Sequence, residues 1–452
     1  MMTVNEAIEK ITSAKPGETV YIKISKSLLT GDALTDLAAL LGYTTTTTEI
    51  AEGIYPVDKD GEKIAYINFS YEDASIEIDI EVASDNSEVK LTDIGWTWKY
   101  SGNSPSVDWG DGKGAIEIKN LEHISNIYAT AGKYTIRITD LCISDTLSEN
   151  ATSTAPFGNR PTYMPAIAIR FNKEQILDSA FSLFRNFRKL KSIAGIIRIN
   201  PTSTILSFNQ TFRLCYELED ISKLTFIANN PSGDISIQKM FQNCYAITAD
   251  NIEKLVIKNL DIDLITDYIA AFEHCTSLKR IPRNLIGAGF TEPGYAFADT
   301  AIEYIPANIF DNVTKCDNTF TGTNIKYIST EANFGKLFNI KGTLADSSLT
   351  YKSIETLYNS LQPAQEINNE NYVIVFGFDE TEKNIVKRLH KLFNINPAEV
   401  SDADRAHWTK DGVLMTDGSG EPIVLPYPKY GWNRNNTKGW GVAFASQSAP
   451  WK

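Results

Sequence analysis

The sequence predicts a multidomain α+β protein, and three patterns carry that prediction. Hydrophobic and polar residues alternate over much of residues 61–145, as they do in half-buried strands. A short hydrophobic pattern then returns six times between residues 184 and 328. Beyond the last copy, segments with helical and strand patterns follow one another. A chain of 452 residues is also too long for one hydrophobic core, so several domains are expected.

Residues 1–60 are predicted to form a small α/β module that docks the chain to a partner. A capping-box spacing, Thr-x-x-Glu, predicts a first helix over residues 3–12. A strand is expected at residues 20–24, and a second helix with four leucines is expected at residues 32–41. The module is too small for a catalytic domain, and we expect it to be the attachment end of the protein.

Residues 61–145 are predicted to form a β-sandwich. Val107–Lys113 has the sequence VDWGDGK, in which Asp-Gly is typical of a hairpin turn. Residues 128–138 have the sequence YATAGKYTIRI, which ends in the alternation of a strand. The two motifs together resemble the signature of PKD-like β-sandwich domains, with Ile127 where that family has histidine.

The candidates for cation ligands in this segment are Asp108, Asp111 and Glu117. Carboxylates are ligands that hard cations such as Ca²⁺ prefer. Asp-Gly sequences also form turns, because the Asp side chain bonds to nearby backbone. Turn formation is the favoured interpretation, so neither a metal nor another cofactor is predicted.

After a predicted linker at residues 145–165, the repeated pattern is Phe-x-x-Cys-x-x-Leu-x-x-Ile. Its copies begin at Phe184, Phe212, Phe241, Phe272, Phe297 and Phe320, with spacings of 28, 29, 31, 25 and 23 residues. Apolar residues at fixed offsets and this period predict a leucine-rich-repeat solenoid over residues 165–335. Chance recurrence in an ordinary helical domain does not explain six returns at similar spacing.

Two copies also carry a family resemblance. Met240–Cys244 has the sequence MFQNC, and Ala271–Pro282 has the sequence AFEHCTSLKRIP. They resemble the MFxxCxxLxxIP units of BspA-like leucine-rich repeats. That family occurs in surface proteins and adhesins, and in virion proteins of phages that infect gut bacteria. The resemblance implies an architecture that presents a surface, since such repeats carry no chemistry of their own.

The C-terminal part is predicted to be an α/β cap at residues 345–420, followed by an extended arm at residues 421–452. Helices are expected at residues 349–361, 380–393 and 401–408, with an apolar strand at residues 372–376. A cap is physically required, because the last repeat would otherwise expose its apolar face. In the arm, the residues predicted to anchor assembly are Tyr430, Trp432 and Trp440. A disordered tail is the alternative.

Composition and motifs exclude several classes of protein. The net charge is −13 and basic residues are not clustered, which argues against a nucleic-acid partner. The N-terminus has no signal-peptide pattern and no run is long enough to span a membrane, so membrane insertion is not expected. Five cysteines without Cys-x-x-Cys pairs indicate neither a disulfide scaffold nor a zinc site.

Catalytic motifs are also absent from the sequence. The four histidines are scattered without metal-ligand spacing, and no nucleophile elbow, phosphate-binding glycine loop or His-Glu-x-x-His motif occurs. Three cysteines, Cys215, Cys244 and Cys275, share one repeat position and are predicted to be buried in successive copies. No enzyme activity is expected.

The resemblance and the domain order predict a structural protein of a bacteriophage virion. It would be a head or tail fibre or decoration component, of crAss-like or related phages, assembled in the host cytoplasm. Expected partners are other virion proteins, further copies of this chain, and a host surface glycan or protein. The alternative is a leucine-rich-repeat adhesin on a bacterial cell surface.

The candidate binding residues lie beside the isoleucine of each repeat, where strand residues alternate outward. Read across the copies, the exposed pairs are Lys191-Ser192, Glu219-Asp220, Lys279-Arg280, Glu303-Tyr304 and Lys326-Tyr327. Tyrosine and arginine are enriched at binding hot spots. Arg280, Tyr304 and Tyr327 are therefore the predicted contact residues. A surface that merely keeps the repeats in solution is the alternative.

Overall fold

A computed structural model describes much of the chain. The described residues are 13, 21–23, 44–45, 54–59, 62–68, 75–91, 96–102, 105–121, 124–146, 165–200, 206–228, 233–340, 342–363, 373–379, 381–393, 409–410, 413–414, 438 and 441–444. Within them the protein is mostly β-sheet with few helices, so it is richer in strands than the α+β class suggested. The helices predicted at residues 3–12, 32–41 and 401–408 lie outside the described residues.

Strands near the N-terminus form one sheet. They are β1 (Tyr21–Lys23), β2 (Thr44–Thr45), β3 (Ile54–Lys59) and β4 (Glu62–Asn68). Their order is β1-β4-β3-β2, with β1 parallel to β4 and the other neighbours antiparallel. The strand predicted at residues 20–24 is thus present as β1, and it joins the sheet by pairing with β4.

The chain divides into two compact units. The first contains Met1–Glu88, Trp98–Cys142 and Ile169–Gln175, and the second contains Val89–Thr97, Ile143–Ala168 and Ile176–Lys452.

The next strands are β5 (Ile76–Val82), β6 (Ser87–Lys90), β7 (Trp96–Tyr100), β8 (Ser106–Asp108), β9 (Ala115–Glu117), β10 (Ser125–Tyr128), β11 (Gly132–Thr139), β12 (Leu141–Thr146) and β13 (Ala166–Phe171).

The core of the first unit follows the predicted period of two. Strand β5 is antiparallel to β11, with Ile78 opposite Ile136 and Ile76 opposite Ile138. All four isoleucines are fully buried. Strand β11 also pairs with β8, and β8 pairs with β9 as an antiparallel hairpin. The hairpin predicted from the Asp-Gly dipeptide is therefore present.

The hairpin loop uses its aspartates locally. Asp108 Oδ1 accepts a hydrogen bond from the backbone N–H of Gly110 at 2.8 Å. Asp111 accepts from Lys113 Nζ at 2.7 Å and from Asn126 Nδ2 at 3.1 Å. Glu117, the third cation candidate, is exposed and lies 3.6 Å from Lys119 Nζ. Each carboxylate thus has its own partner, in agreement with the turn interpretation.

A charge network covers one face of the β5 sheet. Arg170 donates from Nη1 and Nη2 to Asp79 at 2.6 and 2.8 Å, and from Nε to Glu77 at 2.9 Å. Thr135 Oγ1 also donates to Asp79 at 2.7 Å. Burial of Asp79 opposes its ionisation, but the hydrogen bonds from Arg170 and Thr135 outweigh this and lower its pKa below 3.8. Its ionised form is therefore favoured by folding.

We expect this network to make the first unit sensitive to acid. Because the pKa of Asp79 is lowered in the folded state, its contribution to stability is complete above pH 3.8 and is lost as pH falls through the lower folded value. Urea unfolding between about pH 5 and pH 2 should therefore show a steeper loss of stability for the wild-type chain than for Asp79→Asn. An equal loss of stability with falling pH in the two proteins would show that Asp79 is not the source of the acid sensitivity.

The repeat region contains short strands and one helix. Its elements are β14 (Gln175–Leu177), β15 (Ser192–Ile199), β16 (Leu206–Ser207), β17 (Asp220–Ala228), β18 (Ile235–Ser236), α1 (Ala249–Glu253), β19 (Val256–Lys258), a 3₁₀ turn (Ile262–Leu264), β20 (Ile265–Asp267), β21 (Tyr304–Ile305) and β22 (Tyr327–Ile328). Equivalent strands of successive copies pair in parallel, in the orders β15-β17-β19, β16-β18-β20 and β21-β22.

The phenylalanines that begin the copies stack in one column. Consecutive ring centroids are between 5.0 and 5.7 Å apart, and the rings are tilted by 3 to 17°. All six side chains are fully buried. The ring spacing is close to the ~4.8 Å between paired strands, so each ring sits one strand spacing above the last. Each copy therefore buries its ring against its neighbours.

Each copy turns through two residues with left-handed backbone, placed two positions before and two after its phenylalanine. The pairs are Ser182 and Asn186, Gln210 and Leu214, Lys239 and Asn243, Ala270 and His274, Tyr295 and Asp299, and Asn318 and Gly322. This conformation costs a non-glycine residue about 1–2 kcal/mol. It directs backbone N–H groups to the next copy, as from Phe212 to Met240 O and from Phe241 to Ala271 O, both at 2.8 Å.

The repeat cysteines are buried, as predicted, and their thiols are also used. Cys215 Sγ donates to Phe184 O at 2.9 Å, and Cys244 Sγ donates to Phe212 O at 3.0 Å. Cys275 Sγ repeats the contact with Phe241 O at 3.1 Å. Burial raises the pKa of all three thiols. The repeat position thus favours cysteine as a small side chain that also donates to the preceding copy.

We expect these thiols to be protected from alkylation in the folded chain. Cys142 is half-buried, whereas Cys215, Cys244, Cys275 and Cys316 are buried. Since the thiolate is the nucleophile, the four should react with iodoacetamide more than about tenfold more slowly than Cys142. Peptide mass spectrometry of a time course measures this. Equal rates before denaturation would show that the copies are open.

The third copy departs from the pattern where its last isoleucine is replaced. Position 250 is aspartate, and the chain there begins α1 instead of a strand. Thr248 caps this helix, with its Oγ1 accepting from the backbone N–H of Asn251 at 3.3 Å. The parallel strand resumes only at Val256, as β19. The third copy thus has a helical turn where the other copies continue the repeat pattern to an isoleucine.

The C-terminal part contains the helices predicted at residues 349–361 and 380–393, both shorter than predicted, and a strand that overlaps the one predicted at residues 372–376. Its elements are β23 (Leu344–Leu349), α2 (Tyr351–Ser360), β24 (Val373–Phe378), α3 (Ile385–Phe393), β25 (Thr409–Lys410), β26 (Val413–Leu414) and β27 (Gly441–Phe444). Strands β23, β24 and β27 form a parallel sheet. Tyr358 of α2 and Phe393 of α3 pack edge to face at 4.9 Å.

Part of the predicted arm packs on its own chain. Strand β27 pairs in parallel with β24. Lys438 Nζ donates to Asn359 O at 2.7 Å and to Leu361 O, at the C-terminal end of α2, where a cation is favoured by the helix dipole. Burial lowers the pKa of Lys438. The predicted anchors Tyr430, Trp432 and Trp440 lie outside the described residues.

Candidate binding surface

Tyr304 and Tyr327 lie side by side on the exterior of the repeat region. They are opposite each other in the parallel pairing of β21 with β22. Tyr304 is 47% exposed and Tyr327 is 53% exposed, whereas the isoleucine after each is buried. Paired strands are about 4.8 Å apart, so the two tyrosines are neighbours on the exposed side of the β21–β22 pair. The sequence-predicted exposure of both residues is confirmed.

Arg280 is exposed but has a different environment. No strand forms at this position, contrary to the expectation for residues beside the repeat isoleucine. Its guanidinium instead donates to Glu253 Oε1 and Oε2 at 2.6 and 2.7 Å and to Asp250. These hydrogen bonds raise its pKa. Arg280 therefore joins the fourth copy to helix α1, and ligand contact would have to compete with these ion pairs.

A groove adjoins Tyr304 and crosses three consecutive copies. We call it the Tyr304 groove. It has a volume of about 700 Å³ and is lined by residues from 281–290, 304–312 and 329–331, which lie at or next to the isoleucine positions of copies four, five and six and in the segments after them. Ile281 and Phe290 contribute buried apolar surface to its lining. This volume lies within the range of small-molecule pockets, about 300–1,000 Å³.

The polar lining of the Tyr304 groove carries opposite charges. Arg283, Asp311 and Glu331 contribute, together with the amides of Asn308 and Asn312. Asn312 is positioned by Lys336, whose Nζ donates to its Oδ1 at 2.7 Å. Within the described part of the chain, the side chains of Asp311 and Glu331 have neither an ion-pair nor a hydrogen-bond partner. These groups are available to a ligand.

A second aromatic row lies elsewhere on the repeats. Tyr216 and Tyr245 stack with ring centroids 4.9 Å apart, and the Arg188 guanidinium lies 5.4 Å from the Tyr216 ring. All three occupy the position directly after the repeat Cys or its equivalent. They are not among the contact residues predicted from the sequence. Their shared offset within the repeat was the signal that would have found them.

The described residues contain no group of three or more His, Cys, Asp or Glu side chains that could hold a metal ion. His274 Nδ1 lies 3.2 Å from Asp299 Oδ2, but both side chains are nearly half exposed, at 42% and 47%. Within these residues, no helix combines the length and apolarity needed to cross a bilayer. Tyr304, Tyr327 and the Tyr304 groove are the candidate functional features of the described residues.

Comparison with known proteins does not assign the chain to a family. No family model matches it, and neither a curated protein nor a solved structure does. Function must therefore be inferred from the sequence and from the geometry.

Proposed function

We propose that this chain is a non-enzymatic structural and binding protein built on a BspA-like leucine-rich-repeat solenoid. The observation that carries the proposal is the pair of exposed tyrosines, Tyr304 and Tyr327, which are held in register by stacked copies. A repeat scaffold of this kind fixes exposed side chains on a rigid surface at little entropic cost on binding. Its function is then recognition rather than chemistry.

The stacking of successive copies supports the proposed solenoid architecture. Each copy contributes one phenylalanine to the buried column and backbone N–H groups to the next copy, so its apolar face is covered only by its neighbours. At the end of the repeats, Ser348 and Thr350 donate backbone hydrogen bonds to Ile325 and Lys326 of the last copy. The β23-α2-β24 segment would thus serve as its C-terminal cap.

Within this class, we place the protein in a bacteriophage virion, as a head or tail fibre or decoration component. The BspA-like resemblance of Met240–Cys244 and Ala271–Pro282 supports this, as does the order of a small N-terminal sheet, a segment with PKD-like sequence motifs and a repeat array. Its partners would be neighbouring virion proteins, further copies of the chain and a host surface molecule. The N-terminal sheet β1–β4 would be the attachment end.

Mass spectrometry of purified virions from a phage that encodes this chain tests the proposal. We expect peptides of the full chain at the copy number of a structural component. A variant that lacks residues 1–68, and therefore the whole β1–β4 sheet, should remain folded but be absent from particles. Absence of the full chain from virions, with recovery in a bacterial cell-surface fraction, would favour the adhesin instead.

A further inference from the structure

We propose that the Tyr304 groove binds a neutral saccharide. The inference rests on the proposed binding function and specifies its ligand. It starts from the combination of one exposed aromatic ring, an apolar patch and unpaired polar groups in one cavity. A sugar ring needs this combination, because one of its faces presents C–H groups while its edge presents hydroxyl groups.

Tyr304 supplies the apolar contact. Its side chain lines the groove and is 47% exposed, so a flat ring can pack against it without rearrangement of the copies. Tyr327 lies opposite it in the β21–β22 pairing, is 53% exposed and stands outside the groove lining. Tyrosine combines a large apolar face with few rotatable bonds, so ordering it on binding costs little entropy. A saccharide longer than one ring has a second platform on Tyr327.

The polar lining supplies the hydrogen bonds. Ionised carboxylates accept from hydroxyl groups, and each has two oxygens, which suits the neighbouring hydroxyls of a sugar. Asp311 and Glu331 provide two such groups without internal partners in the described part of the chain. Asn308 adds an amide that both donates and accepts. Hydrogen bonds to a charged acceptor are stronger than those between neutral groups.

The charge of the groove argues for a neutral ligand. Two carboxylates, Asp311 and Glu331, face one guanidinium, Arg283, and the whole chain carries a charge of −13. An acidic saccharide would meet like charges at the site. An apolar peptide would desolvate the two carboxylates without giving them hydrogen bonds. A neutral polyhydroxyl ligand avoids both costs.

A glycan array that contains neutral and acidic oligosaccharides tests the proposal with the purified full chain. Calorimetry with the strongest neutral ligand then compares Tyr304→Ala, Tyr304→Phe and Tyr245→Ala. Tyr304→Ala should weaken the Kd by about tenfold or more, as truncation of a hot-spot aromatic does. Tyr304→Phe keeps the ring and should bind within a few-fold of wild type. Tyr245→Ala removes a comparably exposed tyrosine outside the groove and should bind normally.

Asp311→Asn adds a test of the carboxylate with little change of shape. It should weaken binding to the same neutral ligand. The proposal is overturned if the array shows no neutral ligand, if acidic glycans or peptides alone bind, or if Tyr304→Ala binds like wild type. Virion incorporation is measured separately. A chain that is found in particles but binds no saccharide would contradict the ligand proposed here and leave the proposed virion function standing.

Discussion

Replacing Phe241 with alanine is expected to lower the free energy of unfolding of the repeat region by about 3–5 kcal/mol. The ring lies in the middle of the column, 5.0 Å from Phe212 and 5.7 Å from Phe272, and is fully buried. Its loss removes apolar burial and leaves a cavity. The cavity cannot easily collapse, because backbone hydrogen bonds hold the copies on both sides at fixed spacing.

Urea denaturation followed by circular dichroism measures this loss, and amide exchange localises it. Exchange should quicken at Phe212 as well, because its N–H donates to Met240 O in the mutated copy. Tyr245→Ala is the matched control, since that ring belongs to the same copy but is 40% exposed. Its stacking on Tyr216 is worth about 0.5–1.5 kcal/mol. Equal losses in the two variants would contradict the buried column.

Replacing Gly110 with alanine is expected to destabilise the first unit by about 2–5 kcal/mol. Its φ is +67°, and left-handed backbone costs a residue with a side chain about 1–2 kcal/mol. A Cβ at this position would also lie 2.5 Å from Thr135 O, in strand β11. Overpacking of this kind adds about 1–3 kcal/mol. Calorimetric heating of the first unit measures the sum.

Gly112→Ala is the control for the clash. Gly112 lies in the same loop with a φ of +81°, but an added Cβ would meet nothing within 4 Å. Its replacement should lower the free energy of unfolding by only about 1–2 kcal/mol, the cost of left-handed backbone for a residue with a side chain. Amide exchange in β11 should quicken in Gly110→Ala and stay near wild type in Gly112→Ala. If both variants lose the same stability, close approach of β11 is not what requires glycine at 110.

Local patterns predicted those elements whose formation depends on neighbouring residues. The alternation of Ile76, Ile78 and Ile80 predicted the strand β5, because side chains of a strand alternate between core and solvent. The helix α2 was predicted from apolar residues at helical spacing, although Leu349 belongs to strand β23 and Thr350 and Leu361 are its caps. The burial of the repeat phenylalanines and cysteines followed from their fixed offsets.

The left-handed turns of the repeats were not predictable in this way. Five of the six copies place side-chain-bearing residues at both left-handed positions, so no glycine marks them. The conformation is stabilised by hydrogen bonds to a copy more than twenty residues away, such as from Leu214 N to Gln242 O. A long-range contact therefore overrides the local preference of these residues.

By itself, the sequence determined which residues of the repeats face inward and that Tyr304 and Tyr327 face outward, because burial follows periodicity. Only the tertiary structure decided what the outward residues contact. It paired Arg280 with Glu253 and Asp250, which precede it by 27 and 30 residues. It also assembled the Tyr304 groove from three copies. The physical reason is that periodicity records the direction of a side chain, whereas a site requires distances between segments that only stacking establishes.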